Sequence, residues 1–193
     1  MGYKTEWFKG IFPALVTPFT GDDAFDEKTF RALLKRLLPH VDGVLPCGTT
    51  GEFPYLSLEE RKRVIEVCLD EVNSRVPVLA GTGCNSTRET VALTSWAKDA
   101  GVDGALVVTP WYLKPDFNEV YDHFRALDKV DLPIVMYNVP QCAGTHLKWW
   151  TAEGGLLDFD NTIGIKDTSG DMAFMEALFE KVKGRASIFV GHD

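Results

Sequence analysis

One lysine stands at the end of an apolar run, where a basic side chain is unusual. Lys166 directly follows the run 162–165, whereas the other eleven lysines fall on predicted helix faces, in loops or before the first apolar run. Burial disfavours the charged form of an amine, and a neutral amine can attack a carbonyl carbon to form a Schiff base. Lys166 is therefore a candidate imine-forming residue. The alternative is a structural lysine paired with Asp167 or Asp171.

Hydroxyl groups follow other apolar runs in the same way. Tyr137 ends the neighbouring run 133–137, so its phenol is expected to face the same cavity as Lys166, where it can transfer protons during imine or aldol chemistry. The alternative is a rim tyrosine whose hydroxyl bonds the backbone. Thr49 and Thr50 stand between Gly48 and Gly51, where hydroxyls and backbone amides can bind a carboxylate, or where the chain simply turns.

The elements that must position these residues repeat along the chain. Apolar runs alternate with stretches of helical periodicity, which is typical of parallel strands joined by crossover helices and covered on both faces. Ser57 with Glu60, and Ser86 with Glu89, fit capping boxes at the starts of two helices. The runs end 25 to 34 residues apart and occupy 12–16, 43–46, 77–80, 104–108, 133–137, 162–165 and 187–190.

This pattern predicts one α/β domain over residues 1–193, a TIM (β/α)₈ barrel truncated after its seventh strand. An open doubly wound sheet uses the same elements, but polar residues follow nearly every run instead of meeting at one switch point, which favours the barrel. The carboxyl ends of barrel strands form the active site. Strand 8 and the C-terminal helices are expected to be missing, which would leave two unpaired sheet edges. A catalytically silent barrel fragment is therefore the rival hypothesis.

Composition excludes several classes of function. With 28 acidic and 20 basic residues, the net charge is −8, whereas nucleic-acid binding needs clustered Lys and Arg. No run approaches the ~20 apolar residues of a membrane span and no secretory signal is recognisable, so a cytoplasmic location is predicted. The four cysteines lack CxxC spacing and are expected to be reduced. The four histidines are scattered and the 81–83 loop lacks the third glycine of a dinucleotide fingerprint, so no metal or cofactor is predicted.

Four motifs occur in order and at barrel spacing, from about Gly10 to the end of the chain. With them the chain strongly resembles the dihydrodipicolinate synthase / N-acetylneuraminate lyase family of pyruvate-dependent class I aldolases. The resemblance implies that Lys166 condenses with pyruvate or with a 2-oxo acid being cleaved, and that Tyr137 donates and accepts protons. The motifs are Phe12-Pro-Ala-Leu-Val-Thr-Pro-Phe19, Gly48-Thr-Thr-Gly-Glu52, Tyr137-Asn-Val-Pro140 and Gly164-Ile-Lys-Asp-Thr-Ser-Gly-Asp171.

The resemblance also implies further site residues. Thr49 would link Tyr137 to Tyr112 in a proton relay, with Tyr112 supplied by a neighbouring subunit. Thr50 and Gly48 would bind the pyruvate carboxylate, and Gly191 would line the pocket. A small-molecule substrate, no cofactor and a homo-oligomer built as a dimer of dimers follow from the same likeness.

One position departs from the lysine-pathway synthases of this family. Their arginine two residues after the Tyr-Asn-x-Pro motif holds the carboxylate of aspartate semialdehyde, and Cys142 stands there in this chain. A thiol cannot make the bidentate contact that a carboxylate prefers. The departure favours an aldolase acting on 2-keto-3-deoxy sugar acids or 4-hydroxy-2-oxoglutarate, and the lysine-pathway synthase is the alternative.

Overall fold

The computed structural model describes residues 8–147, 158–182 and 184–191. Five parallel strands form one sheet in the order of the chain. Two earlier segments continue this order through single parallel bridges, Ala14 with Leu45 and Val44 with Val78. The strands are β1 (Leu79–Gly81), β2 (Gly104–Val108), β3 (Ile134–Asn138), β4 (Thr162–Asp167) and β5 (Ser187–Val190).

The first two predicted strands are much shorter than the apolar runs 12–16 and 43–46 indicate, because each run is reduced to bridged residues. Both runs contain a proline, Pro13 and Pro46, which has no N–H to donate to a neighbouring strand. Proline also stands at position 77, and β1 begins only at Leu79. The predicted order of strands is nevertheless the observed one.

Six helices lie between these strand segments in the described chain. At α2, Ser57 and Glu60 form the predicted reciprocal capping box. At α3, the Ser86 hydroxyl accepts the Glu89 N–H and itself donates to the Glu89 carboxylate. Asp116 and Glu119 form a further capping box at α4. The helices are α1 (Glu27–Leu37), α2 (Leu58–Val72), α3 (Thr87–Ala100), α4 (Phe117–Leu127), α5 (Pro140–Ala143) and α6 (Met172–Val182).

Helix α2 buries an apolar stripe in the core, together with one charged residue. Arg61 stands among charged residues in the sequence but is only 4% exposed. Its guanidinium donates to the Gly81 carbonyl oxygen at 2.8 Å and lies 4.9 Å from the centre of the Phe53 ring. The start of α2 therefore faces the loops that follow the strands. The apolar stripe is buried at Val64, Ile65, Cys68 and Val72.

The sheet curls until its first and last described segments approach each other. The Phe12 and Phe189 rings meet edge to face, with their centres 5.4 Å apart. A cavity of about 450 Å³ lies between residues 8–13 and β5, and Lys166 contributes to its lining. Sequential parallel strands that curl in this way form a barrel, whereas a doubly wound sheet reverses its strand order. No helix among the described residues is long and apolar enough to cross a membrane.

Candidate active site

Lys166 and Tyr137 are direct neighbours on adjacent strands. The register of β3 and β4 pairs these two residues, so both side chains project from the same face of the sheet. The Lys166 Nζ lies 4.2 Å from the centre of the Tyr137 ring. Tyr137 is buried and Lys166 is half-buried. The structure thus brings together the amine and the phenol that the sequence places at the ends of neighbouring strands.

The two acidic residues that could have neutralised Lys166 have other partners. The buried Asp167 carboxylate accepts hydrogen bonds from the Asn138 amide at 2.5 Å and from the Ser169 hydroxyl at 2.8 Å. Asp171 accepts a backbone N–H in the first turn of α6. Among the residues that the structure describes, neither carboxylate forms an ion pair with Lys166. The described part of the chain therefore does not contain the alternative, an ion pair between Lys166 and Asp167 or Asp171.

Asn138 and Asp167 form a buried polar pair that the sequence analysis did not single out. Asn138 is fully buried, and its side-chain oxygen accepts the Leu147 N–H at 2.8 Å. Its backbone oxygen accepts the Thr168 N–H at 2.8 Å. The pair ties the loop after β3 to β4, directly beside Tyr137 and Lys166. In the sequence, these two residues could have been noticed as the polar residues that directly follow Tyr137 and Lys166.

The loop after the second strand segment brings a hydroxyl to Tyr137. Residues Thr49–Gly51 form one 3₁₀ turn that starts after the buried Gly48. The Thr49 Oγ1 lies 3.4 Å from the Tyr137 hydroxyl oxygen, a long hydrogen bond. A Cβ at position 48 would stand 2.8 Å from Leu45 Cδ2, so a glycine lets this turn pack against the sheet.

Thr50 is exposed on the same turn. The first backbone bond inside the turn runs from the Gly51 N–H to the Gly48 carbonyl oxygen, and the amides that open a helical turn have no partner within it. The Thr17 hydroxyl donates to the Gly51 carbonyl oxygen at 2.7 Å and anchors the turn from the first segment. The Thr50 amide therefore has no partner within the turn.

Gly191 follows β5 and lies against the Lys166 side chain. A Cβ at position 191 would stand 2.4 Å from Thr168 Oγ1, 2.7 Å from Lys166 Cε and 3.3 Å from Lys166 Nζ. Its N–H donates to the Asp167 carbonyl oxygen at 2.8 Å, which continues the pairing of β4 with β5. The absence of a side chain at Gly191 thus leaves the space that the lysine occupies. His192, which the sequence also places at this strand end, lies outside the described residues.

Tyr112 stays apart from the other candidates within one chain. Its side chain is 84% exposed and its backbone is left-handed, with a φ of 78°. Among the described residues, no hydrogen bond joins it to Thr49 or Tyr137. Leu113 and Tyr55 are also strongly exposed, at 86% and 84%. The role expected for Tyr112 in a neighbouring subunit stays a prediction.

Other titratable side chains lie outside this cluster in the described part of the chain. No group of three or more His, Cys, Asp and Glu residues there could hold a metal ion. His123 is buried, which lowers its pKa to about 4, and its Nδ1 contacts the Thr87 hydroxyl at 2.9 Å. Burial raises the pKa of the Cys47 thiol to about 12, and also raises that of Cys68.

Together these elements define a parallel α/β barrel that carries a lysine and a tyrosine side by side at the carboxyl ends of neighbouring strands. The sequence profile of the Dihydrodipicolinate synthetase family matches residues 7–193. The chain belongs to this family, as its four motifs predict.

Curated relatives are similar over almost the whole chain. The chain is 42% identical over 188 residues to a 4-hydroxy-tetrahydrodipicolinate synthase of Nitratidesulfovibrio vulgaris (strain Miyazaki F), which covers 96% of this chain and 64% of the relative. It is 41% identical over 196 residues to the enzyme of the same name from Methanopyrus kandleri, covering 100% of this chain and 64% of the relative. The chain thus spans slightly less than two thirds of the length of these relatives.

Solved structures agree with the barrel. The chloride-inhibited dihydrodipicolinate synthase of Acinetobacter baumannii, complexed with pyruvate, superposes with a TM-score of 0.92 at 38% identity, over 95% of this chain and 63% of that one. YagE, a prophage protein of the dihydrodipicolinic acid synthase family from E. coli K12 in complex with pyruvate, gives 0.91 at 36% identity, over 95% and 63%. These likenesses confirm the predicted fold class.

Proposed function

We propose that Lys166 forms a Schiff base with pyruvate, or with a 2-oxo acid that yields pyruvate, and that the protein makes or breaks a carbon–carbon bond beside this imine. The observation that carries the proposal is the Lys166 Nζ, 4.2 Å from the Tyr137 ring centre and without an ion-pair partner among the described residues. The Gly191 backbone leaves the amine room to react. A cytoplasmic location belongs to the same proposal.

The chemistry needs an electron sink and a placed acid and base. The Lys166 amine adds to C2 of pyruvate, and the former ketone oxygen leaves as water after proton transfers, which gives a protonated imine. Loss of a proton from C3 gives an enamine, whose carbon adds to an aldehyde carbon while the aldehyde oxygen takes up a proton. Tyr137 is the proposed carrier of these protons. Hydrolysis of the imine returns the amine, and the reverse sequence cleaves a 2-oxo acid.

The neighbouring residues support this assignment by their placement. The Thr49 hydroxyl, 3.4 Å from that of Tyr137, is the proposed next member of a proton relay. Thr50 and Gly48 are proposed to bind the pyruvate carboxylate through the turn's hydroxyl and amides. Because Tyr112 is 84% exposed, we assign it to the site of a second copy, in a homo-oligomer built as a dimer of dimers.

Two candidates for the second substrate each have an observation in their favour. The exposed Cys142, on α5, cannot make the bidentate contact that holds the carboxylate of aspartate semialdehyde in the synthases, which favours an aldolase acting on 2-keto-3-deoxy sugar acids or 4-hydroxy-2-oxoglutarate. The names of the similar proteins, 4-hydroxy-tetrahydrodipicolinate synthases, favour the lysine-pathway synthase. We take the aldolase as the first candidate, and a panel of 2-oxo acids and aldehydes assayed for pyruvate release or uptake separates them.

Borohydride trapping tests the imine itself. Reduction in the presence of pyruvate should fix one three-carbon unit on Lys166, found by peptide mass spectrometry, and EDTA should not prevent it. Lys166→Ala should abolish the adduct. Lys129→Ala, on the exposed segment that enters β3 from the opposite end, should keep it. No adduct, or an adduct only on another lysine, would reject the proposal and favour the silent fragment.

A further inference from the structure

Lys114 is a cation at the mouth of the barrel that no neighbouring acid neutralises. Within the described loops that follow the strands, it is the only lysine or arginine. Its side chain is exposed, and no ion pair or hydrogen bond engages it among the described residues.

The nearest acids along the chain are committed elsewhere. Asp116 and Glu119 form the capping box of α4, in which each carboxylate accepts the other residue's backbone N–H, at 3.0 and 2.8 Å. Both carboxylates therefore face the start of the helix, and the Lys114 charge is left for another anion.

The Lys114 stem crosses the end of α5. A Cβ on Gly144, the residue that terminates α5, would stand 3.1 Å from Lys114 Cε and 3.2 Å from its Cγ. The glycine thus lets the lysine lie flat against this short helix. The contact fixes the direction of a side chain that would otherwise be free on the surface.

Helix α5 is in turn attached to the strand that carries Lys166. The Gln141 side-chain amide donates to the Thr168 carbonyl oxygen at 2.7 Å, two residues after Lys166. The Thr168 N–H donates to the Asn138 carbonyl oxygen, next to Tyr137. The stem of Lys114 therefore contacts the short helix that is hydrogen-bonded to the segment following Lys166.

The backbone of this loop is held in an unfavourable conformation. Lys114 has a φ of 53° and Tyr112 a φ of 78°, and a left-handed backbone costs a residue with a side chain roughly 1–2 kcal/mol. Such conformations persist where the surroundings enforce them, often at functional sites.

From this placement we propose that Lys114 binds an anionic group, a carboxylate in the first instance, on the aldehyde that adds to or leaves the Lys166 enamine. The proposal rests on the proposed function and narrows it. It favours a carboxylate-bearing aldehyde, as released from 4-hydroxy-2-oxoglutarate or used by a synthase, over the neutral aldehyde of a sugar acid. Lys114 then supplies the charge that Cys142 lacks.

The test compares two aldehydes that differ in charge, 4-oxobutanoate and its neutral methyl ester, as acceptors for pyruvate. In Lys114→Met, the KM for 4-oxobutanoate should rise about tenfold, the usual effect of losing one charge-assisted hydrogen bond. The KM for the ester should change less than twofold. Lys114→Arg should restore most of the affinity, and Lys129→Met, at the opposite end of β3, serves as the matched loss of charge.

Trapping of pyruvate distinguishes failure of the Lys114 proposal from failure of the proposed imine on Lys166. Borohydride trapping of pyruvate on Lys166 should proceed in Lys114→Met at the unmodified protein's rate. If trapping is normal but the two aldehydes lose affinity equally, or neither is consumed by the unmodified protein, the assignment of Lys114 is overturned and the imine stands. If the unmodified protein traps no pyruvate, the proposed function falls and the Lys114 assignment falls with it.

Discussion

Alanine at position 191 should displace the Lys166 amine without unfolding the protein. The added Cβ would stand 2.7 Å from Lys166 Cε, whereas non-bonded carbons settle at about 3.5–4.0 Å. The lysine end must therefore retreat by about 1 Å. The Thr168 hydroxyl, which would stand 2.4 Å from the same Cβ, must shift as well.

The expected loss is kinetic. A misplacement of about 1 Å in a reacting group costs about 10²-fold in rate, which corresponds to about 2.7 kcal/mol of activation free energy. The folded state should lose little, because Gly191 does not have a left-handed backbone. Alanine also restricts the unfolded chain, which is worth about 0.4–1 kcal/mol. The rate at which borohydride traps the pyruvate adduct measures the kinetic loss, and urea unfolding measures the change in stability.

Gly21→Ala is the matched control, because a Cβ there would meet no atom within 4 Å and the backbone is again not left-handed. It should trap pyruvate at the unmodified rate. If Gly191→Ala did the same while remaining folded, close packing at position 191 would not be what places Lys166. A loss of trapping that merely followed a loss of folded protein would contradict the reasoning as well.

Two further predictions concern buried titratable groups. Burial lowers the His123 pKa to about 4 from 6.5, so between these values the unfolded chain binds a proton that the folded chain does not. The free energy of unfolding should therefore fall by up to about 3 kcal/mol as the pH drops through this range. Urea unfolding of His123→Gln should lack this pH dependence. An equal pH dependence in both proteins would refute the burial of a neutral His123. Burial raises the thiol pKa values of Cys47, Cys68 and Cys84, whereas Cys142 is exposed. A thiol reagent should therefore react rapidly with one cysteine in the native chain and with four after unfolding. A second rapidly reacting cysteine in the native chain would contradict this prediction.

Strand positions were predictable from the sequence where the strands are buried on both faces. The run 104–108 coincides with β2, whose five residues are all buried, because a parallel strand between helices leaves an uninterrupted apolar run. The run 187–190 coincides with β5, although that strand is only partly buried. The first two segments show the limit. Their hydrophobicity places them in the sheet, but Pro13 and Pro46 cannot donate to it, and the result is isolated bridges.

The candidate site was predictable where it depends on strand order, and less so where it depends on distant contacts. Adjacent strands carry Tyr137 and Lys166 at their carboxyl ends, so their proximity follows from the order of the runs. Arg61 stands among charged residues on α2, so helical periodicity places it in solvent. Its burial comes from contacts with Phe53 and the Gly81 carbonyl oxygen, which belong to a loop and to the end of β1 and have no local signature on α2.

The alternation of side chains along a strand explains how the Lys166 amine can avoid the acidic residue that follows it in the sequence. Successive side chains point to opposite faces, so the side chains of Lys166 and Asp167 point away from each other. The β3–β4 register pairs Tyr137 with Lys166 on one face and Asn138 with Asp167 on the other. The second pair satisfies a buried carboxylate within the described chain. Because the two pairs share the same two strands, the contact that fixes β3 against β4 also sets the separation of the amine and the phenol.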